Sequence, residues 1–313
     1  MECPKCHSEA FKKFGTYGDS DVQRYRCKVC GATRSDATRE WLPSSRVEAD
    51  KAIQALSLLT EGTSMRAISR HVGMHRDTVA SLLVTTGANC QRLFDDRVRG
   101  IRPKYIELDE LWNFVHTKEK RLKPADPNEW GDTYTWTALD SQTKLLICYL
   151  VGKRDAASAH QFVRDLSSRV VGRTQATSDG FRSYIPAMEE YFGADVDFAQ
   201  LVKIYGKPDN AGPDWYGPGK VIETVPTPIS GTPDERHICT SHVERSNLTF
   251  RMHLRRFTRL TNGFSKKLTN LRAAVSVYAM WYNFVRVHQT LRVTPAMEAG
   301  IANHIWSINE LLT

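Results

Sequence analysis

At 313 residues, with 41% hydrophobic and 25% charged side chains, the chain has the balance of a globular protein of two or three domains and not of a disordered or fibrous one. Its 43 basic residues outnumber 35 acidic ones for a formal charge of +8, which favours polyanionic partners, nucleic acid first among them. No apolar run nears the roughly eighteen residues of a membrane span, and residues 1–12 are charged where a secretion signal would be apolar; the expected setting is cytoplasmic, with no membrane partner.

Seven cysteines stand at positions 3, 6, 27, 30, 90, 148 and 239, an odd and uneven set that argues against a disulfide framework. Cys3-Pro4-Lys5-Cys6 and Cys27-Lys28-Val29-Cys30 are two C-x-x-C pairs. Each can sit on a tight turn that aims two thiolates at one ion, and two such turns complete the all-sulfur shell of a structural Zn2+. Phe11, Phe14, Tyr17 and Tyr25 fall in strand-like segments broken by Gly15 and Gly18, as in a zinc ribbon spanning residues 1–40. So small a unit has little core, and the metal would supply most of its folding energy. His7 is surplus to the four thiolates. A redox role for C-x-x-C needs a surrounding βαβ pattern that is absent.

Residues 41–44 read as a linker, and Ser45 with Glu48 as a capping box that opens a helix through about residue 60, burying Ile53, Leu56 and Leu59. Residues 64–72 then predict a helix, Gly73 a tight turn, and residues 75–84 a second helix. Ala67, Ile68, Val72, Val79 and Leu83 let the two cross as a helix-turn-helix within a DNA-binding domain at 45–100. The second helix would enter the major groove of double-stranded DNA led by His75, Arg76 and Thr78, with Ser81 one turn on; Arg66 and Arg70 of the first helix complete this set.

From residue 101 the texture becomes β-rich. Residues 105–115 predict a strand that carries Glu107, Asp109 and Glu110 among apolar neighbours, and charges there need partners or a metal. Alternation puts Glu107 and Asp109 on one face and Glu110 on the other. Strands at 133–139 and 144–151 form a hairpin, followed by a helix at 156–170, a strand at 173–178 ending at Asp179-Gly180, a helix at 185–192 and a strand at 196–204. This order resembles a ribonuclease-H-like α/β fold, in which the acid of the first strand and the acid ending the fourth come side by side, joined by a third from a later helix. Residues 206–240, rich in Pro and Gly, read as a long loop inserted in a catalytic domain at 101–313, with Trp215 and Tyr216 available for stacking.

Residues 240–260 run without Gly or Pro and predict an amphipathic helix, with Val243, Phe250, Leu254 and Phe257 on the core stripe and Glu244, Arg251 and Arg255 on another. Glu244 is placed to be the third acid. Arg251, Arg255 and Arg256 would follow a phosphate backbone. A long helix at 265–287 opens with Lys266 and Lys267, which can also reach phosphate, and buries Leu268, Leu271, Val275, Tyr278, Trp281 and Val285. Thr294-Pro295 and Ser307 with Glu310 start two short last turns.

The four-cysteine ribbon, the helix-turn-helix, ELDELW (107–112), SDGFRSY (178–184) and HVERSNLTFRMHLRRFTRLT (242–261), in that order, resemble the DDE transposases of the insertion-sequence-one type. The resemblance implies that Asp109, Asp179 and Glu244 are catalytic and hold two divalent ions, Mg2+ or Mn2+. It also implies that the N-terminal modules recognise the terminal inverted repeats of a mobile element, that cleavage and strand transfer are the reaction, and that a homodimer or larger assembly forms on DNA near the nucleoid. Two other readings share these modules: a DNA-binding regulator without catalysis, and a nuclease that cuts without joining.

Overall fold

The computed structural model describes residues 2–3, 5–17, 20–35, 47–206 and 221–312. The linker at 41–44, Ser45, Trp215 and Tyr216 lie outside them. Strands β1 (Phe11–Tyr17), β2 (Ser20–Cys27) and β3 (Thr33–Ser35) form an antiparallel sheet in the order β1-β2-β3. Helices α1 (Ala49–Thr60), α2 (Met65–Val72) and α3 (Arg76–Arg97) follow. Ser64 caps α2 by accepting the Ala67 N–H, and the helix stops at Gly73, whose φ of 66° is left-handed and therefore suits a residue without Cβ. His75 caps α3, its Nδ1 accepting the Asp77 N–H.

Helix α3 does not end near residue 84 but runs 22 residues to Arg97. Its start packs with Leu56, Ile68 and Val72 in a small core through Val79 and Leu82, whereas Leu83, Cys90 and Phe94 belong to the main core. Gly87 lies so close to α7 (Leu268–Met280) that a Cβ would stand 2.5 Å from Ala273 Cα.

The main sheet contains β4 (Tyr105–Val115), β5 (Gly131–Asp140), β6 (Leu146–Gly152), β7 (Thr174–Ser178), β8 (Val196–Tyr205) and β9 (Val221–Ser230) in the order β6-β5-β4-β7-β8-β9. The first three form an antiparallel meander; α4 (Ala156–Arg169) leads to β7, parallel to β4, and α5 (Tyr184–Tyr191) leads to β8, parallel to β7. Three strands, helix, strand, helix, strand is the order expected from the sequence. Strand β9 was not expected: part of the supposed loop pairs antiparallel with β8 as an exposed edge strand. Pro226 and Pro228 are two residues apart, so both missing N–H groups can fall on the open side without loss of pairing.

Helix α6 (Ser241–His253) is shorter than the predicted 240–260. Leu254 turns extended, which folds Phe257 back so that its ring meets Phe250 edge-on at 5.9 Å. The predicted stripe is buried as expected: Val243, Phe250, Leu254 and Phe257 all lie in the main core. Helix α7 ends at Met280 in a wide π turn over residues 281–285, where fully buried Asn283 accepts the Leu146 N–H (3.0 Å) and donates to the Leu146 carbonyl (2.8 Å), docking the turn on β6. Thr294 caps α8 (Pro295–Glu298), and Ser307 with Glu310 forms the predicted capping box. Among the described residues no helix is long and apolar enough to cross a membrane.

Candidate active site

Strand β7 pairs with β4 only as far as Glu107 opposite Thr177, so β4 continues past its neighbour with an open edge. The chain turns away at Asp179-Gly180, and a cavity of about 640 Å³ remains, lined by Asp109, Asp179, Glu244, Arg154, Phe181 and Lys203. Carboxylate oxygens of Asp109, Glu110 and Asp179 lie within 4.8 Å of one another. Glu244 enters from the first turn of α6, near enough for its charge to bear on Asp109. Three elements far apart in sequence thus supply one acidic cluster.

Each acid is held. Asp109 Oδ1 accepts the Glu110 N–H (2.9 Å) and Oδ2 accepts Asn247 Nδ2 (2.6 Å), one turn after Glu244 on α6. Burial pushes the Asp109 carboxyl up to about 6, and the charges of Asp179 and Glu244 add to the rise. Asp179 Oδ1 accepts the Phe181 N–H at 2.9 Å, which anchors it at the strand end. Glu244 accepts the Thr240 hydroxyl (2.7 Å) and forms an ion pair with Lys203 of β8.

Glu110 was expected on the opposite face, yet it joins the cluster. The backbone still alternates, but among the described residues β7 does not pair with β4 beyond Glu107, so the Glu110 side chain can turn round the unpaired edge toward Asp179. Arg154 spans the gap, its Nε 2.8 Å from Glu110 Oε2 and its Nη2 3.0 Å from Asp179 Oδ2, with the guanidinium 4.1 Å from the Phe181 ring centroid. The Glu110 side chain is only 2% exposed and also receives the Tyr184 hydroxyl. Burial, then the Asp179 charge, pushes it up to about 7. Sequence reasoning missed the roles of Arg154 and Lys203, since neither carries a local signal.

Glu107, which the sequence places on the same face of β4 as Asp109, has a different task. Its Oε2 accepts the N–H groups of His242 (2.8 Å) and Val243 (3.0 Å), and its Oε1 lies 2.6 Å from His242 Nδ1. It caps α6 from below and so fixes Glu244 over the cavity.

Four carboxylates face two ion-paired cations, Arg154 and Lys203, which leaves a negative excess in a partly dry notch. Hard divalent cations fit such an all-oxygen set. At the N-terminus, Cys3 Sγ is 3.5 Å from Cys30 Sγ and Cys6 Sγ 3.6 Å from Cys27 Sγ, with all four within 4.8 Å. Tetrahedral Zn–S bonds of about 2.3 Å require S–S edges of about 3.8 Å, so this set fits zinc. The N–H groups of Cys30 and Val29 draw the Cys27 thiol down, while hydrogen bonds from Cys30 and Cys27 push Cys6 up, so the four sulfurs share protons when no ion holds them. His7 is exposed and paired with Glu2 instead.

Of the cations and polar groups expected on DNA, Arg66, Arg70, His75, Arg76 and Ser81 are exposed on or beside α2 and α3, and Thr78 is half-buried. Arg255, Lys266 and Lys267 are exposed, and Arg251 and Arg256 half-buried.

No protein-family model matches the chain, and no curated protein matches it. Among solved structures it is similar to the piggyBac transposase in a synaptic complex with hairpin DNA, at 13% identity over 88% of this chain and 72% of that one, with a TM-score of 0.38. It is also similar to the Mos1 transposase in a paired-end complex with the left transposon end, at 17% identity over 49% of this chain and 59% of that one, with a TM-score of 0.21.

Proposed function

We propose that this chain is a DNA transposase of the DDE type with a ribonuclease-H-like catalytic domain at 101–313. The observation that carries this reading is the meeting of Asp109, Asp179 and Glu244, from β4, the end of β7 and α6, around one cavity. Asp109, Asp179 and Glu244 would together hold divalent ions such as Mg2+. Bound there, such ions would activate a water or 3′-hydroxyl for in-line attack on phosphorus and stabilise the leaving oxygen. The chain's own contribution is to hold the acids: Asn247 orients Asp109, Arg154 and the Phe181 amide orient Asp179, and Glu107 fixes the helix that carries Glu244.

The 1–40 unit is a zinc ribbon in this reading, and α2 with the start of α3 is a helix-turn-helix that reads inverted repeats of an insertion sequence of the insertion-sequence-one type. His75, Arg76, Thr78 and Ser81 would meet base edges while Arg66 and Arg70 meet phosphates. Two ends must be held together, so the working form is at least a dimer on DNA, in the cytoplasm. Asp179→Asn tests the site: binding of labelled element ends should survive while Mg2+-dependent cutting and joining disappear. Joining at the parental rate would refute the assignment. A parent protein that shifts the ends without cutting them would be a regulator, and one that cuts without joining would be a nuclease.

A further inference from the structure

Cys239 stands apart from the other cysteines of the chain. Four thiols meet in the N-terminal sheet, and Cys90 and Cys148 are buried in the main core, but Cys239 is half-exposed on the connection that enters α6. Three residues on, His242 occupies the second position of α6, and the stretch reads Cys-Thr-Ser-His. This spacing brings sulfur and imidazole to one side of the helix start, over Glu107 of β4. One ligand atom from each of Glu107, Cys239 and His242 falls within 4.8 Å of the others.

The three donors suit one kind of ion. Thiolate, imidazole nitrogen and carboxylate oxygen are donors that Zn2+ accepts together, whereas Mg2+ takes oxygens and has no use for sulfur. Zinc bonds of about 2.3 Å to sulfur and about 2.0–2.2 Å to nitrogen or oxygen give tetrahedral edges of about 3.3–3.7 Å, within the 4.8 Å spread of this trio. The distance of 2.6 Å from His242 Nδ1 to Glu107 Oε1 is that of a hydrogen bond, and it lengthens by roughly 0.7 Å when a metal takes the place of the shared proton. The outer partners are in place as well. Glu107 Oε2 is held by the two amides of α6 and leaves Oε1 to the metal, while the Ser241 N–H lies 3.3 Å from Cys239 Sγ and aims the sulfur. The Glu107 side chain is 3% exposed and that of His242 44%, so the site has a closed floor and an open side through which an ion enters. Charge balances too: one thiolate and one carboxylate cancel the two charges of zinc, and no net cation is set against the positive start of α6. Lys144 is near enough for its charge to reach Glu107 and Cys239, and its ammonium is turned to the Ser141 carbonyl.

We infer that Glu107, Cys239 and His242 form a zinc site separate from the four-cysteine ribbon and from the acidic cavity, with its fourth position open to water. Zinc held there ties the first turn of α6 and the connection before it to β4. The inference concerns these three side chains alone and does not rest on DNA chemistry.

Its test is alkylation of Cys239 by iodoacetamide in the full chain, read by peptide mass mapping, in buffers of fixed free Zn2+. Rising zinc should slow modification of Cys239 to a plateau, and Mg2+ alone should not. His242→Ala should raise the free zinc needed for half-protection by at least about tenfold, the least that losing even an outer partner costs a metal site. Equilibrium dialysis at the protecting zinc concentration gives a second reading, in which Cys239→Ala should carry one ion fewer per chain than the parent. Asp109→Asn should keep the protection of Cys239, since the acidic cavity is a different site. Modification of Cys239 that ignores zinc, protection equal in parent and His242→Ala, or protection that disappears in Asp109→Asn would each overturn the inference. Equal zinc counts in parent and Cys239→Ala would do the same. Because no DNA enters these readings, a missing zinc site leaves the proposed cutting and joining standing, and a failure to cut leaves the zinc site standing.

Discussion

Replacing Asp109 by Asn should make the metal-free protein more stable while abolishing its chemistry. A carboxyl raised from 3.8 to about 6 on folding is worth roughly 3 kcal/mol against the ionised folded state, at about 1.36 kcal/mol per unit. The sign follows from linkage: the folded state holds the proton more tightly, so this residue's contribution is favourable at low pH and is lost as pH rises through about 6. The penalty is complete near pH 8, about half as large near pH 5 and small by pH 4. An Asn keeps the shape without the charge, and Asn247, whose Oδ1 has no hydrogen-bond partner among the described residues, can turn its amide to accept the new Nδ2–H. Denaturant unfolding in Mg2+-free buffer should therefore give Asp109→Asn an advantage of about 1–3 kcal/mol at pH 8 that shrinks toward pH 4. Added Mg2+ should stabilise the parent at pH 8 and leave the variant unmoved. A variant less stable than the parent at pH 8, or an advantage independent of pH, would refute the account of a strained acid cluster.

Binding of Mg2+ itself should tighten between pH 5.5 and 8 and release protons, because Asp109 and Glu110 must ionise from about 6 and about 7; calorimetry in buffers of different ionisation enthalpy would read this, and a pH-independent affinity would contradict it. Glu107→Gln leaves one acceptor where two oxygens now serve α6, and should cost on the order of 1–2 kcal/mol in denaturant unfolding and slow end cleavage with little change in DNA binding. Gly87→Ala puts a methyl 2.5 Å from Ala273 Cα and should lower the melting temperature by several degrees in a thermal scan; an unchanged melting temperature would contradict the close contact. Cys27→Ser should release zinc from the N-terminal sheet and unfold that unit alone, seen as metal loss by atomic absorption with the main thermal transition kept.

The parts of this molecule legible in the sequence are those decided by local pattern. Two C-x-x-C turns converge as their spacing suggested, and β4, α4, β7 and β8 form where period and turn residues placed them. Acids as far apart as Asp109 and Glu244 could be paired only through the expected element order, which the sheet follows. What escaped depends on neighbours. Helix α3 runs on where Gly87 lets it lie against α7, α6 ends where Leu254 and Phe257 return to the core, and β9 forms at an edge position where prolines are harmless. The inclusion of Glu110 required knowing that β7 stops short, a fact about a different strand.

The close approach of Gly87 to Ala273 has a consequence for how such a protein would measure DNA. Helix α3 starts at Arg76, on the side proposed to meet base pairs, and runs unbroken to Arg97 in the main core that also holds the acid-bearing strands. If the chain acts on DNA as proposed, it would behave as a fixed caliper, with a constant count of base pairs from the bases read to the bond broken. On that proposal, inserting half a helical turn of DNA between them would swing the scissile phosphate to the wrong side of the helix axis.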